Sequence, residues 1–140
     1  MSKYEYDSWE PVNIEIKDLS EKETSLLRDS KTFCIYPWIH LHSYPTGETY
    51  PCCHAEMQLP VGNNKKNSLK EIWNDEQMKE LRRDMLDNIP NKICKGCYEQ
   101  EEHGFFSGRK SANKHHGHHI DRALQTTDAG TTSSFKMTYW

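Results

Sequence analysis

Apolar positions recur at helical spacing most clearly in PVGNNKKNSLKEIWNDEQMKELRRDMLDNIP, residues 60–90. Leu69, Ile72 and Trp73 share one face, with Asn67 or Ser68 available as the cap. Asn74 or Asp75 restarts a helix that carries Met78, Leu81, Met85 and Leu86 until Pro90 ends it. Lys79, Glu80, Arg83 and Asp84 fall on the opposite side, where a solvated face is expected. Upstream, FCIYPWIHLHSY is rich in β-formers and is separated from ETYPCC by Pro45-Thr46-Gly47, a turn signature with glycine where a positive φ is wanted. This predicts a β-hairpin whose strands are kept short by Pro37 and Pro51, since each removes a ladder donor. The helical segment then lies over the hairpin to make a small core. The fold class is α+β: a small irregular hairpin followed by helices.

The flanks are weaker. Residues 1–30 read as an N-terminal extension with a short strand at Val12–Ile16 and a short helix near Glu21–Arg28. Residues 31–113 hold the cysteine-rich domain, including a helix from about Cys97 that Gly104 interrupts. Residues 114–140 form a polar tail with a turn around Ile120–Leu124 and a terminal β-like run, FKMTYW, which reads as the start of a further domain.

Composition narrows the picture. The 140 residues fit one domain, but 34% hydrophobic against 28% charged residues makes a thin core, so a staple of metal or crosslinks is expected. A formal charge of −3 gives no basic stripe for a phosphate backbone, which argues against nucleic acid. The apolar runs are only a few residues long, and MSKYEYDSWE is acidic and aromatic where a signal peptide would be basic and then apolar. The expectation is a cytoplasmic protein with no membrane span. No P-loop, GxGxxG, GxSxG or HExxH occurs, and no catalytic residue is assigned.

Five cysteines, with Cys52 and Cys53 adjacent, fit a disulfide framework poorly. In a reducing compartment clustered cysteines more often hold metal. Cys94 and Cys97 form a CxxC that aims two sulfurs at one point. A thioredoxin-like motif shares that spacing but wants a βαβ unit, whereas a helix, Pro90 and a polar link precede this one. The hairpin turn brings Cys34 and Cys52 together, so four thiolates converge from two local units. Zinc and iron–sulfur clusters both accept four cysteines. Zinc sites usually use two close pairs; here seventeen residues separate Cys34 from Cys52, which leans toward a cluster with its wider span. Cys53 is expected to be a small buried residue behind the hairpin, with a swap ligand as the alternative.

Other residues near these positions carry weaker signals. His115, His116, His118 and His119 flank Gly117, and a solvated loop with weak metal affinity is expected. His40 and His42 alternate on one predicted strand face and His54 follows Cys52 by two; surface placement is expected, with a hydrogen bond to a cluster the alternative. Trp38, Trp73, Tyr50 and Tyr98 are candidates to shield a metal, though ordinary core is the simpler role. Glu99, Glu101 and Glu102 read as charges complementing a helix dipole.

The phrases FCIYPWIHLH, GETYPCC and SLKEIWNDEQMKELRRDML, with Cys34, Gly47 separated by four residues from Cys52, a long gap and Cys94-x-x-Cys97, resemble the twitch domain. This is the shortened single-cluster form of the SPASM domain of radical S-adenosylmethionine (SAM) enzymes. The similarity runs from Phe33 to Gly104. It is strongest to proteins, many from phages of marine bacteria, in which the module precedes the radical enzyme's core. The resemblance implies a hairpin leading into a helix, an auxiliary [4Fe–4S] cluster held by Cys34, Cys52, Cys94 and Cys97, and a radical SAM core as partner. It also implies that Ser107, Arg109 and Asn113 face a neighbouring barrel. The C-x-x-x-C-x-x-C loop that such a core needs is absent from the 140 residues, so the chain is not expected to cleave S-adenosylmethionine alone. An accessory electron-transfer or structural module, a truncated product or half of a split enzyme is expected; a structural four-cysteine zinc module is the alternative.

Overall fold

A computed structural model describes residues 19–132. The strand expected at Val12–Ile16 and the FKMTYW run lie outside the described residues. Helix α1, Glu21–Thr24, opens on a reciprocal cap: the Ser20 hydroxyl accepts from the Glu23 amide at 3.1 Å, and the Glu23 carboxylate accepts from the Ser20 amide at 2.9 Å. It runs directly into a π-helical turn, Ser25–Asp29, that buries Leu26 and Leu27. The helix expected near Glu21–Arg28 is therefore present.

The first half of the predicted hairpin strand is a 3-10 turn instead, Tyr36–Trp38. Pro37 explains the change, because its fixed φ and missing amide hydrogen suit the first turn of a helix better than a ladder. The Tyr36 carbonyl accepts from the amides of Ile39 and His40, both at 3.0 Å. A hairpin does follow: β1, His42–Ser43, pairs antiparallel with β2, Glu48–Tyr50, in the register His42↔Tyr50 and Ser43↔Thr49. Gly47 has φ of +106° in the connecting turn, as its position predicts. A third strand, β3, Gly62–Asn63, adds to the far side of β2. Two residues carry no legible periodicity, so β3 was not foreseen.

Helix α2, Leu69–Trp73, starts from a second capping box between Ser68 and Glu71, and α3, Glu76–Leu86, starts from Asp75. Both match the pattern. Ile72, Trp73, Met78, Leu81 and Met85 are buried. Asn88, with φ of 59°, breaks the chain direction after α3. Of the face expected to be solvated only Glu80 is fully exposed. Lys79 pairs with Glu76 at 2.9 Å, Arg83 donates to the Ala129 carbonyl, and Asp84 accepts from Asn91 at 2.9 Å.

The next α3 residue to Leu81 holds the fold together. Arg82 is 0% exposed. Its Nε donates to Pro37 O at 3.0 Å, Nη1 to Asn74 Oδ1 at 2.9 Å and to Gly130 O at 3.1 Å, and Nη2 to Trp73 O at 2.6 Å. The guanidinium also stands 4.9 Å from the Trp73 ring centroid. Burial lowers its pKa to about 10, which leaves it charged at neutral pH. The segment it clamps is secured elsewhere as well: Trp38 Nε1 donates to Thr126 Oγ1 at 2.7 Å, and Asn74 exchanges hydrogen bonds with the Thr132 backbone at 2.9 and 3.1 Å.

Helix α4, Lys95–Glu102, begins two residues before the expected start and ends ahead of Gly104, whose φ is +85°. Helix α5, Gly108–His116, follows from a Ser107 cap, then a 3-10 turn, Gly117–His119, and α6, Ile120–Leu124. The histidine tract thus forms the end of a helix and a turn, not a solvated loop. Two buried clusters result. One gathers Leu26, Phe33, Trp38, Leu81, Ala112 and Ile120 among others, drawing on residues to either side of positions 31–113. The other gathers Leu41, Tyr50, Val61, Ile72, Trp73 and Met78 with their neighbours. The three-stranded antiparallel sheet with its helices is an α+β arrangement. Among the described residues no helix is long and apolar enough to cross a membrane.

Arg82→Met should destabilise the protein by at least ~3 kcal/mol, because three carbonyls and the Asn74 amide oxygen lose their donor at about 1–3 kcal/mol for each group left unsatisfied. Arg82→Lys should recover little of this, since one ammonium cannot span the fork. Urea unfolding of the three proteins in the same metal state measures the difference.

Candidate metal centre

Four of the five cysteines come from four different places in this framework. Cys34 precedes the 3-10 turn, Cys52 follows β2, Cys94 is the N-cap of α4, and Cys97 lies in its first turn. Cys34 belongs to the first buried cluster, Cys52 packs against the second, and Cys94 packs against both. Cys94 therefore bridges the two half-cores, while Cys97 is buried outside both. Cys34 and Cys97 are 5% and 6% exposed, Cys52 and Cys94 are half-buried, and all five cysteines are free of disulfides. Cys53 is exposed, against the expectation of burial: Cys52 takes the inward position after β2 and its neighbour meets water.

The electrostatics tie the four thiols together. Burial, then Cys52, Cys94 and Cys97, push the Cys34 thiol well up; the Tyr36 amide N–H opposes them. Burial raises Cys52 to about 12, resisted by the amides of His54 and Ala55 and assisted by Cys97. Cys94 is raised by burial, then by Cys52 and Cys97, and lowered by the Tyr98 hydroxyl and by Arg109. Cys97 is raised mainly by burial, with the amides of Arg109 and Gly108 acting the other way. Every pair among the four thus lies within range of like-charge repulsion. As neutral thiols they are stable in this dry setting; as thiolates they need a cation.

Donor chemistry fits an iron–sulfur cluster. All four thiols are raised by burial, and three of them face backbone amides already aimed at negative charge. Among the described residues no group of three or more His, Cys, Asp or Glu is arranged to hold a metal ion.

Two side chains outside the cysteines shape the centre. Asn113 is 0% exposed; its Oδ1 accepts from the Ile35 amide and its Nδ2 donates to the Phe33 carbonyl, each at 3.0 Å. It therefore replaces a strand partner on both sides of Cys34. Arg109, also buried, forms a paired contact with Glu101 at 2.6 and 2.7 Å and donates to Ser30 O and Phe33 O at 3.1 and 2.9 Å. Glu101 belongs to α4, the Cys97 helix, so this ion pair locks the Cys34 segment to the CxxC. Ser107 caps α5 and donates to the same carboxylate. The three residues expected to face a neighbouring barrel are thus internal, and Glu101 is an ion-pair partner where a dipole charge was expected. No local pattern marks Arg109 or Asn113; each lies more than 70 residues from the backbone it holds.

Gly108 has a similar logic. A Cβ there would stand 2.3 Å from His54 Cδ2, so glycine lets the imidazole cover the start of α5 where its amides approach Cys97. Trp38 stacks on Phe33 at 5.3 Å beside Cys34, and Trp73 and Tyr50 line the second cluster. These aromatics act as core and shield together.

The other histidines divide between burial and exposure. His40 is buried, not superficial. Its ring lies 5.5 Å from Tyr36 and 6.2 Å from His42, and Tyr36 reaches His116 at 6.1 Å. His54 is exposed as expected.

Fold and site together define a cysteine-rich α+β domain, four of whose thiols lie in or beside two half-cores. Residues 34–98 match the family model of SPASM, an iron–sulfur cluster-binding domain. Neither a curated protein nor a solved structure matches the chain. The matched stretch contains Cys34, Cys52, Cys94 and Cys97 and ends before Arg109 and Asn113.

Asn113→Ala should cost about 1–3 kcal/mol by stranding two buried backbone groups, and should lower metal retention more than a distant mutation of equal cost. Equilibrium unfolding and metal titration measure the two effects. The His116 ring is held below its usual pKa by burial first, then by His115, His118 and His40. The unfolded chain therefore takes the proton first as pH falls, so stability should drop as pH falls through the usual histidine value near about 6.5. His116→Gln should flatten that drop in unfolding experiments across the range.

Proposed function

We propose that the chain binds a [4Fe–4S] cluster through Cys34, Cys52, Cys94 and Cys97 and serves as an accessory module to a radical SAM core. A zinc ion draws four sulfurs within about 2.3 Å of a single point, whereas a cluster takes them over a wider span. A cluster spreads its ligands over several irons, which suits four cysteines drawn from positions as far apart as Cys34 and Cys52.

When bound, the cluster supplies one-electron chemistry and, with every iron ligated by cysteine, no open coordination position. The chain's own residues do the rest. The amides of Tyr36, His54, Ala55, Gly108 and Arg109 direct positive charge at the sulfurs. Packing excludes water from Cys34 and Cys97. Glu101, Arg109 and Asn113 keep the early cysteine registered on the late pair. Joining two small cores is also a structural service, since binding to the native state alone adds stability. Electron transfer to or from a partner core and stapling of the fold are compatible uses of one site, and five free thiols suit a reducing compartment such as the cytoplasm.

Anaerobic reconstitution of the full chain with iron and sulfide tests the reading. A brown protein with acid-labile sulfide, lost in Cys94→Ala and kept in Cys53→Ala, is the expected result. A colourless protein with stoichiometric zinc would replace it with a structural zinc module, and a full cluster in Cys94→Ala would refute the ligand set.

A further inference from the structure

The segment 28–32 and the first turn of α5 both line a cavity of about 550 Å³. Two nearly buried side chains on its wall hold a proton that no acceptor uses. Thr32 is 7% exposed. Its hydroxyl lies 3.4 Å from Ser30 Oγ, beyond the usual O–H···O distance of about 2.7–2.8 Å. Ser30 Oγ has no capacity left for it. That oxygen donates to Asn88 Oδ1 at 2.6 Å and accepts from the amides of Thr32 and Phe33 at 3.1 and 3.0 Å, which takes up the one proton and two lone pairs of a hydroxyl. Arg109 is 4% exposed. Its Nη1 donates to the carbonyls of Ser30 and Phe33, on either side of Thr32, while Nε and Nη2 each give one bond to Glu101. Four of the five guanidinium N–H groups are thereby engaged, and the second one on Nη2 is not.

Charge around the cavity points the same way. Arg28, Lys31 and Lys110 line it and make no ion pair among the described residues, and neither do Asp29 and Glu102. With the Arg109–Glu101 pair included, four cations against three carboxylates leave one positive charge. Buried donors without an acceptor favour an oxygen that carries charge, and a single positive excess suits a monoanion better than a phosphate dianion. Pro90 and Tyr98 add an apolar part to the wall, and the volume is many times the roughly 30 Å³ share of one water. We propose that this cavity binds a small organic monocarboxylate, with Thr32 and Arg109 donating to its oxygens and the exposed Lys31 and half-buried Lys110 supplying attraction at the rim. The inference goes beyond the iron–sulfur reading and holds whichever metal the cysteines take.

The test is calorimetric titration of the full chain, every protein in the same metal state, with benzoate as the probe and benzyl alcohol and inorganic phosphate beside it. Benzoate should saturate one site. Benzyl alcohol, which lacks the charge, should give no saturable heat, and phosphate should bind more weakly than benzoate. Thr32→Val keeps the shape of the side chain without its hydroxyl and should weaken benzoate at least roughly tenfold, the loss expected for one hydrogen bond to a charged group. Lys31→Gln and Lys110→Gln should each weaken it about twofold to fivefold, with the larger effect at low salt. Lys70→Gln, on α2, should leave the affinity unchanged. Absence of saturable benzoate heat in the wild type overturns the inference. Phosphate binding as tightly as benzoate overturns it too, as does an affinity that Thr32→Val leaves at the wild-type value. If Thr32→Val does not fold, the Lys31→Gln, Lys110→Gln double variant decides: weaker benzoate binding supports the site, and wild-type affinity removes it.

Discussion

Four thiols removed from water repel each other as soon as they ionise, and the rest of the structure is arranged around that fact. Burial raises every one of them, and the neighbouring sulfurs raise Cys34 further. The backbone offers amides in return, two of them from the start of α5 and two from the turn after β2. Such an environment favours neutral thiols in the free protein and four thiolates only around a cationic centre. The position of these thiols gives a bound centre its leverage, since Cys34 packs in one half-core and Cys52 against the other.

Two buried arginines supply the geometry in different ways. Arg109 is neutralised by Glu101 and carries the Cys34 segment to α4. Arg82 meets neutral acceptors, three carbonyls and an amide oxygen, and ties the turn at Pro37, the end of α2 and the segment through Gly130 to α3. A guanidinium can do this because its donors fan out in a rigid plane, and because burial lowers its pKa only to about 10. The site therefore depends on side chains with no sulfur and no place in a metal motif.

How much was legible differs between parts of the chain. The hairpin turn at Gly47 and the caps at Ser68 and Asp75 were readable because turn chemistry and capping are local. The α3 face was readable because one amphipathic period spans the whole helix. The SPASM resemblance was readable from the cysteine spacing and the phrases around it, and the family match spans residues 34–98. Errors arose where a distant group overrode local preference. FCIYPWI has the composition of a strand, yet Asn113 satisfies the backbone around Cys34 and Pro37 starts a 3-10 turn. Glu101 reads as a charge complementing a helix dipole and Arg109 as facing a neighbouring barrel, whereas the packing of α4 against α5 makes them an ion pair.

The amino-acid sequence by itself determined the α+β class, the main helix and its stop, the hairpin turn and a cysteine set suited to metal, since each follows from residues within a few turns of one another. Only tertiary structure decided that Cys34 and Cys97 are buried, that Cys53 faces water, and that Arg82, Arg109 and Asn113 are internal. Those outcomes depend on which backbone groups lack a partner once the helices pack, and a buried carbonyl or amide takes whatever side chain the fold brings within reach, however far away in the chain.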